Sequence, residues 1–285
     1  MEDILKVENL EKVYKDFSLK KISFNLPKGC IMGFIGENGS GKTTTIKAIL
    51  GIIKSSGSIS LFGKDAKKDE LQIKEDIGVV FDECCFHESF RPKDIDLMLK
   101  NIYKQWDSNY FYRLCEEFSL PLDKKIKDLS KGMKMKCSIA AALAHHPKLL
   151  IMDEATSGLD PIIRDEILDM FLDFIQDENH SILFSSHITS DVEKIADYVT
   201  FIEKGEIVFS QAKDELLENA GILKIGETAF KEMDQKDIVN YRKHAFGYEV
   251  LVSDRIKVRK KYMDAILDPA RLEDIMLFYA RGDKA

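Results

Sequence analysis

The residues best equipped for chemistry lie in one stretch, Gly36-Glu37-Asn38-Gly39-Ser40-Gly41-Lys42-Thr43-Thr44, which fits G-x-x-x-x-G-K-[ST]. The pattern has a physical reading. Consecutive backbone N–H groups must converge on phosphate oxygens. Gly36, Gly39 and Gly41 supply conformations that a Cβ would obstruct, with Asn38, Ser40 and Thr44 completing the cradle. Lys42 brings a point charge to the β- and γ-phosphates, and the Thr43 hydroxyl suits Mg²⁺. The helix that follows adds the positive end of its dipole. An ordinary glycine-rich turn shares the composition but not the setting. Cys30 to Ile35 before the loop reads as a buried strand, and Thr44 to Leu50 after it reads as a helix closing at Gly51.

Further reactive residues stand at the ends of predicted strands. Leu149 to Met152 ends in Asp153-Glu154. Two acids at a strand end are unremarkable alone. Downstream of a phosphate loop they suit a metal-binding aspartate and a catalytic glutamate. Ile77 to Phe81 runs into Asp82-Glu83, where polar side chains can reach a nucleotide. Ser181 to Ser186 runs into His187, which by itself reads as a surface histidine. Tyr14 follows the strand Ile4 to Leu10. It suits stacking on a base, or half-burial at a strand edge. Ser130 is a natural cap for a helix running through Leu143. Ser157 to Pro161 is a turn with Pro161 placed to open a helix.

These residues need a scaffold. Ser18 to Leu26 and Ser58 to Phe62 read as further strands, and Val199–Ile202 with Glu206–Phe209 as a hairpin across Lys204-Gly205. From Cys85 to about Asp128 the apolar residues recur near a helical period, broken at Pro92 and Pro121. Strand and helix alternate elsewhere, which predicts a mainly parallel α/β core. The expected division is a catalytic domain over 1–213, with a helical subdomain at about 85–135, and an accessory domain over 214–285.

Composition narrows the partners. The 285 residues carry a net charge of −7 with 45% hydrophobic content. That is enough for a large core, and it gives no electrostatic reason to expect nucleic acid. No apolar run approaches the roughly 18 residues that span a bilayer. The start, Met1-Glu2-Asp3, is acidic and unlike a secretory leader. Five cysteines without C-x-x-C spacing read as reduced cytosolic thiols.

Taken in order, the motifs resemble those of the ATP-binding subunits of bacterial ABC transporters, exporter type, from the N-terminus to about Lys213. The resemblance implies an α/β fold: a P-loop NTPase core with a mainly parallel sheet, an antiparallel β subdomain, a helical insert and a small C-terminal α/β appendage. It makes Gly36–Thr44 the Walker A loop, Leu149–Asp153 the Walker B strand, Ser157–Asp160 the D-loop, Leu129–Met133 the signature loop and Tyr14 the base-stacking aromatic. It implies ATP and Mg²⁺ as cofactors, the metal held by Thr43, Asp153 and Asp82. Glu154 would be the general base and His187 the switch histidine. Two ATPase subunits, this chain with itself or a homologue, would sandwich ATP, with Ser130 and Gly132 facing the γ-phosphate across the dimer and Asp160 at the same interface. A separate transmembrane permease would be the partner, and the chain would sit in the cytoplasm on the inner face of the membrane.

The chain also departs from the pattern. Asp82 stands where the family usually has Gln, and Lys131 and Met133 replace the usual Gly and Gln of the signature loop. The first change raises a metal or water role for Asp82, against a plain strand-end residue with Glu83 as alternative. The second places Lys131 either opposite the partner's ATP or in solvent. The expected function is ATP-driven export of a peptide, antibiotic or lipid-like cargo. The alternatives are an importer ATPase, a non-transport ABC ATPase, or a soluble P-loop kinase, which would need no signature loop.

Overall fold

Continuous apolar runs make the central strands. Ile31–Ile35, Leu149–Asp153 and Ser181–Ser186 are buried along their whole length, as strands covered on both faces must be. They belong to a six-stranded sheet in the order Glu206–Ala212, Tyr198–Glu203, Ile31–Ile35, Ser181–Ser186, Leu149–Asp153, Ile77–Val80. The strands from Tyr198–Glu203 to Ile77–Val80 pair in parallel. Register pairs Ile35 with Ser186 and Asp153 with Ser185. Three carboxyl ends therefore lie side by side, the edge at which open α/β sheets bind ligands. One carries the glycine-rich loop, one the paired acids and one His187.

The computed structural model describes residues 2–284. Contacts divide it into two units, one up to Ser210 and one from Gln211 onward. The first unit holds a second, antiparallel sheet in the order Ser18–Pro27, Asp3–Val13, Ser56–Leu61, Lys64–Asp65. Stacked rings of Phe24 and Phe34, 5.2 Å apart, join the two sheets. The second unit has its own antiparallel sheet in the order Ile266–Pro269, Gly221–Ile225, Gly247–Val252, Asn240–His244, Asp283–Lys284. Leu223, Val250, Val252 and Val258 form its core. Beside them Asp237 is buried, and the ammonium groups of Lys257 and Lys261 hold its carboxyl low.

The helical insert starts later than the sequence pattern suggests. Residues 81–91 contain no helix, and the first helix is Pro92–Leu99, with Pro92 in its first turn. Proline fits that position because its missing N–H has no intrahelical partner there, and it disfavours helix in the residue before it. Ser108–Glu117 and Lys131–Leu143 follow, and Ile95, Phe111, Leu114 and Ile139 are buried. Ser130 caps the last of these, accepting a hydrogen bond from the Met133 N–H. Asp160 does the same for Pro161–Phe174, accepting from the N–H groups of Ile162 and Ile163. Among the described residues no helix is long and apolar enough to cross a membrane.

Candidate functional site

The loop after Ile35 is shaped by its glycines. A Cβ on Gly36 would lie 2.4 Å from the Ile202 carbonyl oxygen and 2.5 Å from Ser40 Oγ. Gly41 has φ +120° and is closed in by Phe17 and Leu19. Phe17 also places Tyr14, whose N–H donates to the Phe17 carbonyl, so an exposed aromatic stands one short turn from the loop. Ser40 is buried and its Oγ has no hydrogen-bond partner. A buried donor left over in a glycine-lined cradle fits an incoming phosphate oxygen.

Lys42 opens the helix Lys42–Ile49 and is itself buried. Its Nζ donates to the carbonyl oxygens of Gly36 at 2.7 Å and Glu37 at 3.2 Å, and it pairs with Glu154 Oε1 at 3.1 Å. The other Glu154 oxygen lies 2.5 Å from His187 Nδ1. The structure thus brings the loop lysine, the glutamate and the histidine into one chain of contacts, from three different strand ends. Glu154 sits at φ +54°, a left-handed conformation that is strained for a residue with a side chain. Its N–H is anchored to the Ser185 carbonyl and to Ser185 Oγ at 3.0 Å.

Ser185 is the functional residue that the sequence reading passed over. Fully buried, its hydroxyl donates to Asp153 Oδ1 at 2.6 Å while accepting from the Glu154 N–H. One side chain therefore orients both acids. The signal available in sequence was two consecutive serines, Ser185-Ser186, closing an apolar strand just before His187.

Asp153 and the exposed Thr43 offer hard oxygen donors, and among the described residues no group of three or more His, Cys, Asp or Glu could hold a metal. A set this sparse suits Mg²⁺, which keeps its waters and takes few protein ligands beside phosphate. Asp82 lies past the end of Ile77–Val80, exposed, its Oδ1 accepting from the Glu83 N–H. It lines a cleft with Glu83, Cys84, Glu88, Lys131 and Lys134. Ser130 and Asp160 cap their own helices, and Gly132 packs against Ile163. Their hydrogen bonds do not reach the glycine-rich loop within the chain. Behind His187, Asp191 is buried against Arg164 Nε at 3.0 Å. Burial pushes the Asp191 carboxyl up, opposed by the Thr156 hydroxyl, Arg164 and His187.

The ABC transporter family matches this chain over residues 19–157. The bacitracin transport ATP-binding protein BcrA of Bacillus licheniformis is 35% identical over 212 residues, 73% of this chain and 69% of that protein. The lantibiotic transport ATP-binding protein SrtF of Streptococcus pyogenes is 35% identical over 214 residues, 74% of this chain and 92% of that one. Among solved structures, cbiO1 of Clostridium perfringens, part of the ABC transporter complex cbiONQ, superposes with a TM-score of 0.63 at 27% identity, covering 74% of this chain and 89% of its own. A loop built for phosphates, a lysine and a glutamate drawn together beside it, and relatives of this closeness give one conclusion: the chain belongs to the ABC transporter family as an ATP-binding, ATP-hydrolysing subunit.

Proposed function

We propose that two ATPase subunits, two copies of this chain or this chain and a homologue, close on ATP and that hydrolysis drives export of a peptide, antibiotic or lipid-like cargo through a separate transmembrane permease. The contact chain Lys42–Glu154–His187 carries the reading. Glu154 takes a proton from the attacking water as general base. His187, on its other oxygen, holds the carboxylate toward the γ-phosphate. Lys42 offsets charge that builds on the phosphates in the transition state. Thr43 and Asp153, with Asp82 at the margin, are the residues that would hold Mg²⁺, which when bound shares that charge. Ser130 and the Gly132 N–H, at the start of Lys131–Leu143, serve the γ-phosphate of the partner subunit. Asp160 stands at the same interface, and Tyr14 stacks on the adenine.

The cleft that holds Asp82, Glu83, Glu88, Lys131 and Lys134 mixes both signs of charge with Phe86 and Ile126. It is the surface we assign to a loop of the permease, which would keep this chain on the inner face of the membrane. BcrA and SrtF, named for bacitracin and lantibiotic transport, support the cargo class.

The test is an affinity purification from detergent-solubilised native membranes. The bait is the Glu154→Gln variant with Mg-ATP, which arrests the closed state. A polytopic membrane protein recovered in stoichiometric amount is the expected result. Recovery of ribosomal, DNA-bound or soluble partners alone would overturn the proposal.

A further inference from the structure

Lys131 does not point to solvent without a partner. Its Nζ donates to the Ser157 carbonyl at 2.8 Å. The ammonium also fills the space over Gly158, since a Cβ built there would fall 2.7 Å from Nζ. Gly158 has φ +64°, so this turn is shaped around both the glycine and the lysine. Two further contacts join Lys131–Leu143 to the helix that follows this turn. Gly132 packs on Ile163, and Lys136 pairs with Glu166. Lys131, Gly132 and Lys136 span a little over one turn of Lys131–Leu143. Ser157, Ile163 and Glu166 run from the turn into Pro161–Phe174. The two elements are laced together where Lys131–Leu143 begins.

The lacing reaches the chemistry through the backbone. The Ser157 N–H donates to the Glu154 carbonyl at 3.0 Å. Ser157 thus closes a turn on Glu154 through its N–H and is held by Lys131 through its carbonyl. Glu154 needs such support, because it sits at φ +54°. Its own N–H is fixed to Ser185, but the segment leaving it toward Gly158 is fixed from the far side by Lys131.

We infer that Lys131 is a positioning residue: it latches the turn Glu154–Gly158 to the start of Lys131–Leu143, so that the setting of the Glu154 carboxylate follows the movement of that helix. The inference rests on Glu154 acting as the base. The latch is exposed and made by a long side chain, so it opens and closes readily, as a coupling element must. It gives a route by which the helix start, which the proposed function assigns to the partner's ATP, influences hydrolysis in its own subunit.

The experiment is steady-state ATPase kinetics on the purified full-length chain for Lys131→Met, Lys131→Arg, Gly158→Ala and the Lys131→Met/Gly158→Ala pair, with Glu154→Gln as reference. Melting curves for each check that it folds. Lys131→Met is expected to lower kcat about five- to tenfold with KM for ATP unchanged. Lys131→Arg, which can still reach a carbonyl, restores kcat to within about twofold. Gly158→Ala evicts the ammonium, so its effect and that of Lys131→Met are expected not to multiply in the double variant. A rise in KM with kcat intact would place Lys131 on bound ATP and overturn the latch. Fully multiplicative effects would overturn it as well. Activity retained by Glu154→Gln would instead sink the assignment of the base, whatever the lysine variants do.

Discussion

Ser185→Ala tests whether one buried hydroxyl sets both acids. The substitution removes the 2.6 Å bond to Asp153 Oδ1 and the 3.0 Å bond from the Glu154 N–H. The two losses are unequal. Glu154 N–H keeps the Ser185 carbonyl at 3.2 Å, which alanine also provides. Asp153 is 2% exposed and loses a charge-assisted partner outright. A hydrogen bond to a charged group contributes about 1.5–3 kcal/mol, so a loss of about 2 kcal/mol is expected. For a unit of this size that lowers Tm by about 4–8 °C. The loss also has a catalytic side. Partners that orient metal-binding carboxylates typically change metal affinity or activity by about 10- to 100-fold when removed. The half-saturating Mg²⁺ concentration for ATP hydrolysis should therefore rise by at least the lower figure. Thermal melting without nucleotide reads the first effect, and ATPase rates across a Mg²⁺ titration read the second. An unchanged Tm together with an unchanged Mg²⁺ curve would refute the reasoning. A lowered Tm with an intact curve would leave Ser185 a structural residue alone.

Three further outcomes follow from the geometry. Gly36→Ala should abolish ATP binding, read by a fluorescent nucleotide, because the new Cβ meets backbone at 2.4 Å, which cannot step aside as a side chain can. Asp82→Ala should shift the Mg²⁺ dependence of hydrolysis, and an unchanged ATPase rate and Mg²⁺ curve would return Asp82 to a plain strand-end role. Arg164→Met leaves Asp191 buried without its cation, a loss of about 3–5 kcal/mol near neutral pH. Burial raises the Asp191 pKa and Arg164 lowers it, and that lowering fixes the sign. Arg164 stabilises only the charged carboxylate, so the gap between variant and wild type should narrow as acid protonates Asp191. Chemical denaturation across a pH series measures it, and a gap that widens as the pH falls would contradict the assignment.

What the sequence displays and what it conceals divide along chain distance. The glycine-rich loop is legible because its demands are local: Gly36, Gly41 and Lys42 are near neighbours, flanked by a strand and a helix. The buried strands are legible because full burial writes an unbroken apolar run, as in Leu149–Met152. Ser130 and Pro161 announce their helices because capping needs only the next few residues. Ser185 escaped because its partners are 32 and 31 residues away, and nothing in a serine shows which acid it serves. Lys131 stood out as an unusual residue, but its partner at Ser157 depends on how two helices pack. The helical period drawn from Cys85 starts too early because Pro92 reads as a break inside a helical stretch, whereas it stands in the first turn and marks where the helix begins.

The pairing of Lys42 with Glu154 carries one more consequence. A carboxylate that holds the loop ammonium is a built-in rival of the triphosphate for that same cation. Nucleotide and glutamate therefore compete, and each step by which ATP claims Lys42 also releases the Glu154 carboxylate from it. By linkage, the glutamate weakens ATP binding by the same factor by which ATP weakens the Lys42–Glu154 pair. With Glu154 as the proposed base, a chain that gripped ATP more firmly by discarding the rival would also discard the group that consumes it, so a moderate grip on fuel would be built into the site.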